Sequence, residues 1–310
     1  MKLKKPKFWD LKNLNIYSIC LIPLAKILEF LLLFQRKKHQ KFDNIKKICV
    51  GNIYIGGTGK TSLALTINKI LKQKKIKSCF IKKFYNNQLD EQKILSQYGK
   101  LFVSKNRVRA LKQAISKKYK IAIFDDGLQD RNIKYDVNFV CFNTINWIGN
   151  GKMIPAGPLR ENISNLKKYK NIVLNGNLEN IYKIKRDLNK ISTNFNIHIG
   201  KYIPLNKNKF DLNKKYLAFS GIGNHETFIS MLKENKFNII KDIEFPDHYN
   251  YLQSDLNRIL SLSNKMNCKI ITTEKDIKRI KNKNKINFIK TELKIEDEEK
   301  MIEAIFENNE

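Results

Sequence analysis

An α/β fold is what this sequence predicts: a parallel-sheet domain, a second and smaller α/β domain, and a leading helix associated with a membrane surface. Three observations carry that expectation. Short apolar runs alternate with helical stretches along most of the chain, the pattern of a parallel sheet covered on both faces. A glycine-rich loop lies between one such run and one such helix. An apolar segment, Ile16 to Phe34, precedes both.

The leading segment reads IYSICLIPLAKILEFLLLF, with lysines on either side. It has the length of a membrane span, but Pro23, Lys26 and Glu29 interrupt it. No small-residue cleavage site follows; QRKKHQK does. A helix lying in the headgroup layer, apolar side down with its lysines on lipid phosphates, suits this pattern. The alternative is a core helix of the globular part. After it, Lys47–Val50 is a short buried strand, and Leu63–Leu71 a helix. Strands follow at Ser78–Ile81 and Leu101–Val103, then a helix over Arg107–Lys117. Lys120–Phe124, Val137–Phe142 and Ile172–Leu174 complete the first set of strands. The polar stretch Lys201–Lys215 marks a boundary. Beyond it the alternation restarts: strand Tyr216–Phe219, helix Phe228–Lys233, strands within Asn238–Phe245, helix Leu252–Asn264 and strand Lys269–Thr272. The expected division is 1–36 for the leading helix, 37–205 for the first domain and 206–310 for the second.

The 310 residues suffice for two ordinary domains, and 42% are hydrophobic, which excludes wholesale disorder. The formal charge is +31, yet only eight of the 60 basic residues are arginine. Such a lysine-, asparagine- and isoleucine-rich chain reads as drift toward A/T-rich codons; the functional reading is attraction to anionic surfaces. The lysines are spread along the chain with no aromatic–basic module, so no nucleic-acid partner is expected. Five cysteines stand singly, without a C-x-x-C pair, which argues against a disulfide framework or a zinc site and for a reducing compartment.

Gly56-Gly57-Thr58-Gly59-Lys60-Thr61 carries the chemistry. Consecutive N–H groups in such a loop wrap phosphate oxygens, and glycine permits the dihedrals and the close approach. The helix that follows turns its positive end to the same anion. Ile55 and Ser62 flank the loop; Lys60 reaches the β- and γ-phosphates, and the Thr61 hydroxyl holds Mg²⁺. Tyr54 stands where the strict G-x-x-x-x-G-K-[ST] template has its first glycine, so the string is the GG-x-GKT variant. The first domain is therefore P-loop NTPase-like. The apolar strand ending in Asp125-Asp126-Gly127 follows the pattern that places a carboxylate beside that Mg²⁺. Alone, it would also read as a turn.

Six stretches follow one another along the chain: GNIYIGGTGKTS (51–62), IFDDGLQDR (123–131), WIGNGKMIPAGPLRE (147–161), GIGN (221–224), FPDHYNY (245–251) and ITTEKD (271–276). Together they resemble the tetraacyldisaccharide 4′-kinase family of lipid A biosynthesis, over a span from about Phe8 to Arg279. The resemblance implies transfer of the γ-phosphate of ATP, with Mg²⁺, to the 4′-hydroxyl of a lipid-linked disaccharide 1-phosphate. It also implies the setting: the cytoplasmic face of a bacterial inner membrane, against its anionic surface. Lys60 and Thr61 match the family's loop lysine and threonine, and Asp125 and Asp126 its acidic pair near the metal. Asp90-Glu91 match its acidic element, with Asp90 as catalytic base, and His248 matches the histidine that supports the base. A sugar hydroxyl attacking phosphorus does need a proton acceptor.

Arg160, in a proline-entered loop, is suited either to the substrate's existing phosphate or to a structural pair with Glu161 or another acid. The chain departs from the family pattern at Lys82–Asn86, where an R-G-Y-G-like stretch is usual, and the interval before Asp90 is short. Ser62, Leu89, Gln92, Asp130 and His225 also replace the usual residues. A nucleotide-hydrolysing switch is the competing class. The absence of an N-K-x-D motif disfavours its GTP form. Oligomeric state is left open.

Overall fold

The computed structural model describes residues 5–11, 13, 15–34, 40–85 and 89–307. The chain first lays down α1 (Ile16–Leu33), β1 (Lys46–Gly51), α2 (Lys60–Gln73), β2 (Ser78–Lys83), α3 (Leu89–Tyr98), β3 (Leu101–Ser104), α4 (Arg107–Ser116), β4 (Ile121–Asp125), β5 (Val137–Asn143) and β6 (Asn171–Asn175). It continues through α5 (Ile181–Ile191), β7 (Asn196–Pro204), β8 (Lys215–Ser220), α6 (His225–Glu234), β9 (Asn238–Glu244), α7 (Gln253–Lys265), β10 (Lys269–Thr273), the short α8 (Glu274–Ile277), β11 (Ile286–Ile289), β12 (Thr291–Ile295) and α9 (Glu298–Phe306).

Eight strands form one sheet in the order β12-β7-β6-β5-β1-β4-β2-β3, and four form another in the order β11-β10-β8-β9. Every pairing is parallel except that of β12 with β7. The central strands are apolar on both sides because both sides are covered. Ile48 and Val50 of β1 face α2 and α9, among Leu63, Ile67, Leu71, Met301 and Ile305. Cys49 points the other way, toward Val140, Phe142 and the α5 residues Ile184 and Leu188. In the smaller sheet, α6 covers one face through Phe228 and Leu232, and α7 covers the other through Leu256 and Ile259. Cys49, Cys79 and Cys141 are buried free thiols in these strands; burial pushes Cys79 up to about 12.

Two expectations meet differences. The polar stretch Lys201–Lys215 begins inside β7, where exposed Lys201 alternates with Gly200 turned inward. The span 206–310 also divides between the sheets. After β11 the chain returns to the larger sheet, where β12 pairs with β7 from Thr291↔Pro204 to Ile295↔Gly200. Leu293, Ile295, Met301 and Ile305 are then buried in the same core as the P-loop helix α2. That return follows from burial: β12 alternates and α9 is amphipathic, and both apolar faces find cover beside α2.

The leading helix α1 is half packed and half bare. Ala25, with Leu21, Ile22 and Leu32 beside it, rests on Tyr54, Met153, Ala156 and Leu159. Ile16, Ile19, Ile27, Phe30 and Leu31 are each more than half exposed. No helix among the described residues is long and apolar enough to cross a membrane. Most of the basic stretch after it, residues 35–39, lies outside the described residues.

Candidate active site

The P-loop leaves β1 at Gly51 and enters α2 at Lys60. Gly56, Gly57 and Gly59 have φ of 78°, 42° and 83°, the left-handed region that side chains resist. Tyr54, in place of the template's first glycine, is buried, and its hydroxyl donates to Asp10 Oδ1 at 2.6 Å. The residue thus ties the leading segment to the loop. The 147–161 run braces the loop from outside: Ile55 N donates to Pro158 O at 2.9 Å, and Arg160 N to Ile53 O at 2.6 Å. From inside, Asn52 Nδ2 donates to Thr58 Oγ1 (2.7 Å) and Asn175 Nδ2 to Thr58 O (2.9 Å).

At the head of α2, Thr61 Oγ1 donates to Asp125 Oδ2 at 3.1 Å. The other oxygen, Asp125 Oδ1, is buried without a hydrogen-bond partner. Asp126 turns away at φ 61° and faces Lys60, whose Nζ is 3.6 Å from its Oδ1. Arg160 donates to that same oxygen at 2.9 Å. Burial alone would raise the Asp126 carboxyl; Lys60 and Arg160 hold it down at about 2. The two aspartates of Asp125-Asp126 are thus separated by the strand end, one toward Thr61 and one toward the loop lysine. Of the two readings of Arg160, the geometry supplies a pair with Asp126, while Glu161 accepts from Gln129 instead.

Asp90 and Glu91 open α3. His248 arrives from the loop after β9 with φ 56°, and its Nδ1 lies 3.1 and 3.2 Å from the two Asp90 oxygens, 158 residues away in sequence. Arg279 Nη2 is 3.1 Å from Asp90 Oδ2. Burial works against the Asp90 charge, but the His248 bond and the Arg279 guanidinium prevail and hold it at about 2. For His248 burial would lower the value, and the Asp90 bond raises it from its ordinary value. Glu91 is gripped between Lys82 Nζ (2.8 Å) and Lys275 Nζ (3.3 Å). Burial would raise it too; the two lysines keep it well below the usual carboxylate range.

A cavity of about 190 Å³ runs from Gly57–Ser62 to Glu91, Asp247 and Lys275, with an apolar wall that includes Tyr98, Phe228 and Met231. The smaller sheet's loop closes over the P-loop so tightly that a Cβ on Gly57 would sit 2.2 Å from Gly223 O. Of the residues that sequence reasoning brought forward, Lys60, Thr61 and Glu91 line this space. Asp125 and Asp126 stand behind Thr61 and Lys60, Arg160 is paired with Asp126, and Asp90 and His248 meet each other next to Glu91 and Asp247. That reasoning missed Lys82, Lys275, Arg279 and the Gly57–Gly223 contact. Lys275 and Arg279 are four residues apart in and just past the ITTEKD stretch, a spacing that puts two cations on one side. Lys82 follows the apolar run Cys79–Ile81 as the penultimate residue of β2 and is buried like that run.

A glycine loop between strand and helix, a strand-end carboxylate against its threonine and an aspartate–histidine couple next to the cavity residues Glu91 and Asp247 mark a P-loop phosphotransferase. The family described as tetraacyldisaccharide-1-P 4′-kinase matches residues 17–309. The chain belongs to that family, and it is a lipid-sugar kinase of lipid A biosynthesis. A tetraacyldisaccharide 4′-kinase of Pelagibacter ubique is 54% identical over 314 residues, covering 100% of this chain and 99% of that protein. One of Rickettsia felis is 35% identical, over 99% of this chain and 98% of its own length. Among solved structures, LpxK of Aquifex aeolicus in complex with ATP superposes with a TM-score of 0.68 at 21% identity, covering 94% of this chain and 99% of that one.

Proposed function

We propose that this chain transfers the γ-phosphate of ATP to the 4′-hydroxyl of a tetraacyldisaccharide 1-phosphate lipid, forming lipid IVA at the cytoplasmic face of a bacterial inner membrane. The observation that carries the reading is the Asp90–His248 couple beside the cavity that begins at the P-loop. The loop N–H groups of Gly56–Thr61 cradle the phosphates, and Lys60 exchanges its Asp126 partner for a phosphate oxygen while Arg160 keeps Asp126 paired. The acceptor oxygen bonds to the γ-phosphorus, the bond from phosphorus to the β–γ bridging oxygen breaks, and ADP leaves. The hydroxyl proton passes to Asp90. A carboxylate held at about 2 is fully ionised at neutral pH and takes the proton only as the attacking oxygen becomes acidic by bonding to phosphorus. His248 fixes the carboxylate's orientation through Nδ1.

The donor set suits Mg²⁺. Asp125 Oδ1 is an orphaned buried carboxylate oxygen, and Thr61 Oγ1 lies against its twin. An ion held by these few protein ligands takes its others from phosphate and water. Bound with the nucleotide, the ion supplies charge neutralisation at the β- and γ-phosphates.

The membrane setting is supported by the bare apolar face of α1, whose other face grips Tyr54 and the 147–161 run beside the P-loop. The P-loop belongs to the larger sheet's unit and His248 to the smaller one's, so opening between them would admit the lipid. The test is direct. Purified protein, Mg-ATP and the disaccharide lipid should yield a lipid one phosphate heavier by mass. Release of inorganic phosphate with the lipid unchanged would overturn the reading in favour of a nucleotide-hydrolysing switch.

A further inference from the structure

We propose that Lys82 is a positioning residue for phosphoryl transfer, a built-in cation that holds the metal-side carboxylate Asp125 and the acidic turn Asp90–Glu91 at a fixed separation. The proposal rests on the roles given above to Asp125 and Asp90. Lys82 and Asp125 are register partners at the ends of the adjacent parallel strands β2 and β4. Their side chains meet at 2.6 Å, and Lys82 Nζ also donates to Glu91 Oε2 at 2.8 Å.

The ammonium is 2% exposed and Asp125 is 0% exposed, so water cannot replace either partner. Two carboxylates, at 2.6 and 2.8 Å from the buried Nζ, compensate its charge. A buried lysine survives only with such partners. Without Lys82, Asp125 and Glu91 would face each other as like charges at low dielectric and move apart. Asp90, the residue before Glu91 at the start of α3, would be carried with it. Lys275, from the second unit, holds Glu91's other oxygen at 3.3 Å, so Glu91 is the joint between the two units and Lys82 is its anchor on the catalytic sheet.

A specific signature follows. An ammonium on Asp125 opposes a divalent ion at the same carboxylate, so removing it should tighten metal binding while slowing transfer. Loss of folding cannot produce that opposite pair of effects. The experiment compares Lys82→Met, Lys82→Arg and Lys82→Met/Glu91→Gln with the unaltered chain. It reads single-turnover transfer to the lipid and, without turnover, Mn²⁺ binding to the ADP complex by electron paramagnetic resonance. Lys82→Met should transfer roughly 100-fold more slowly, the cost of about 1 Å of misplacement, while binding Mn²⁺ severalfold more tightly. Lys82→Arg should recover part of the rate. The double variant, which removes one charge of each sign, should fold even if the single one does not, and should remain slow.

Wild-type rate and Mn²⁺ affinity in either Met-containing variant would overturn the proposal. So would slower transfer with equally weakened Mn²⁺ binding, which is the result of general disorder. Asp125→Asn separates this inference from its premise. If that variant loses Mn²⁺ binding while Lys82→Met behaves as wild type, only the Lys82 role falls. If Asp125→Asn binds Mn²⁺ normally, the metal assignment has failed and the Lys82 role falls with it.

Discussion

If His248 acts through Asp90, removing it should cost nothing once Asp90 is gone. The two side chains meet at 3.1–3.2 Å, and each shifts the other toward its charged form: Asp90 down to about 2, His248 upward. A hydrogen bond between charged groups contributes about 1.5–3 kcal/mol, or roughly 10- to 150-fold in rate if all of it is felt in the transition state. His248→Ala should therefore slow single-turnover transfer by about that factor. Asp90→Asn, which removes the proton acceptor, should cost roughly 10²- to 10⁴-fold. The double variant should be no slower than Asp90→Asn alone, so the coupling energy should equal the whole His248 effect. ATP affinity should change little in all three, because the loop and Thr61 contacts lie elsewhere. Losses that simply multiply would refute the couple and give His248 an independent task. An Asp90→Asn protein of full activity would refute the base assignment altogether and make Glu91 the next candidate.

Three further expectations concern the loop, the metal and the membrane. Gly57→Ala forces a Cβ to 2.2 Å from Gly223 O at a positive φ, so ATP binding by calorimetry should weaken at least tenfold, a loss of about 1.4 kcal/mol or more; unchanged affinity would mean that the loop contact opens freely. Lys60→Ala should lower the transfer rate by roughly 10²-fold or more with the melting temperature nearly unchanged, and near-normal turnover in that folded variant would exclude Lys60 from phosphate neutralisation. Replacing Ile27, Phe30 and Leu31, all on the bare face of α1, by serine should reduce co-sedimentation with anionic vesicles while sparing transfer to a detergent-dispersed lipid. Vesicle binding equal to that of the unaltered chain would leave α1 as a packing element only.

Much of the architecture was legible residue by residue. The strand expected at Lys47–Val50 spans Lys46–Gly51, and the one at Tyr216–Phe219 spans Lys215–Ser220, because fully buried parallel strands are short unbroken apolar runs. Helix α5 and strand β7 were not anticipated. Each carries an apolar stripe set between many lysines and asparagines, which blurs the period of burial. β12 and α9 were missed for another reason. Their patterns are ordinary, but nothing local says that the chain leaves the smaller sheet to complete the larger one.

The sequence by itself determined the phosphate loop, the strand-end carboxylate facing Thr61, the alternation of strand and helix, and the family. Each of these is local: glycines at positive φ, an acid at the end of an apolar run, a period of burial. Tertiary structure alone decided how the charges are shared. Adjacent residues Asp125 and Asp126 serve different partners because the strand ends between them and Asp126 turns to φ 61°. Lys82 became a buried cation only because parallel register sets it beside Asp125, and Asp90 met His248, Lys275 met Glu91 and Arg279 met Asp90 only because a second sheet folds over the first. Charge pairing acts over a few ångströms of space regardless of distance along the chain, which is why Asp90, Glu91 and His248 could be named singly in the sequence, while Lys82, Lys275 and Arg279 emerged as their partners only in the fold.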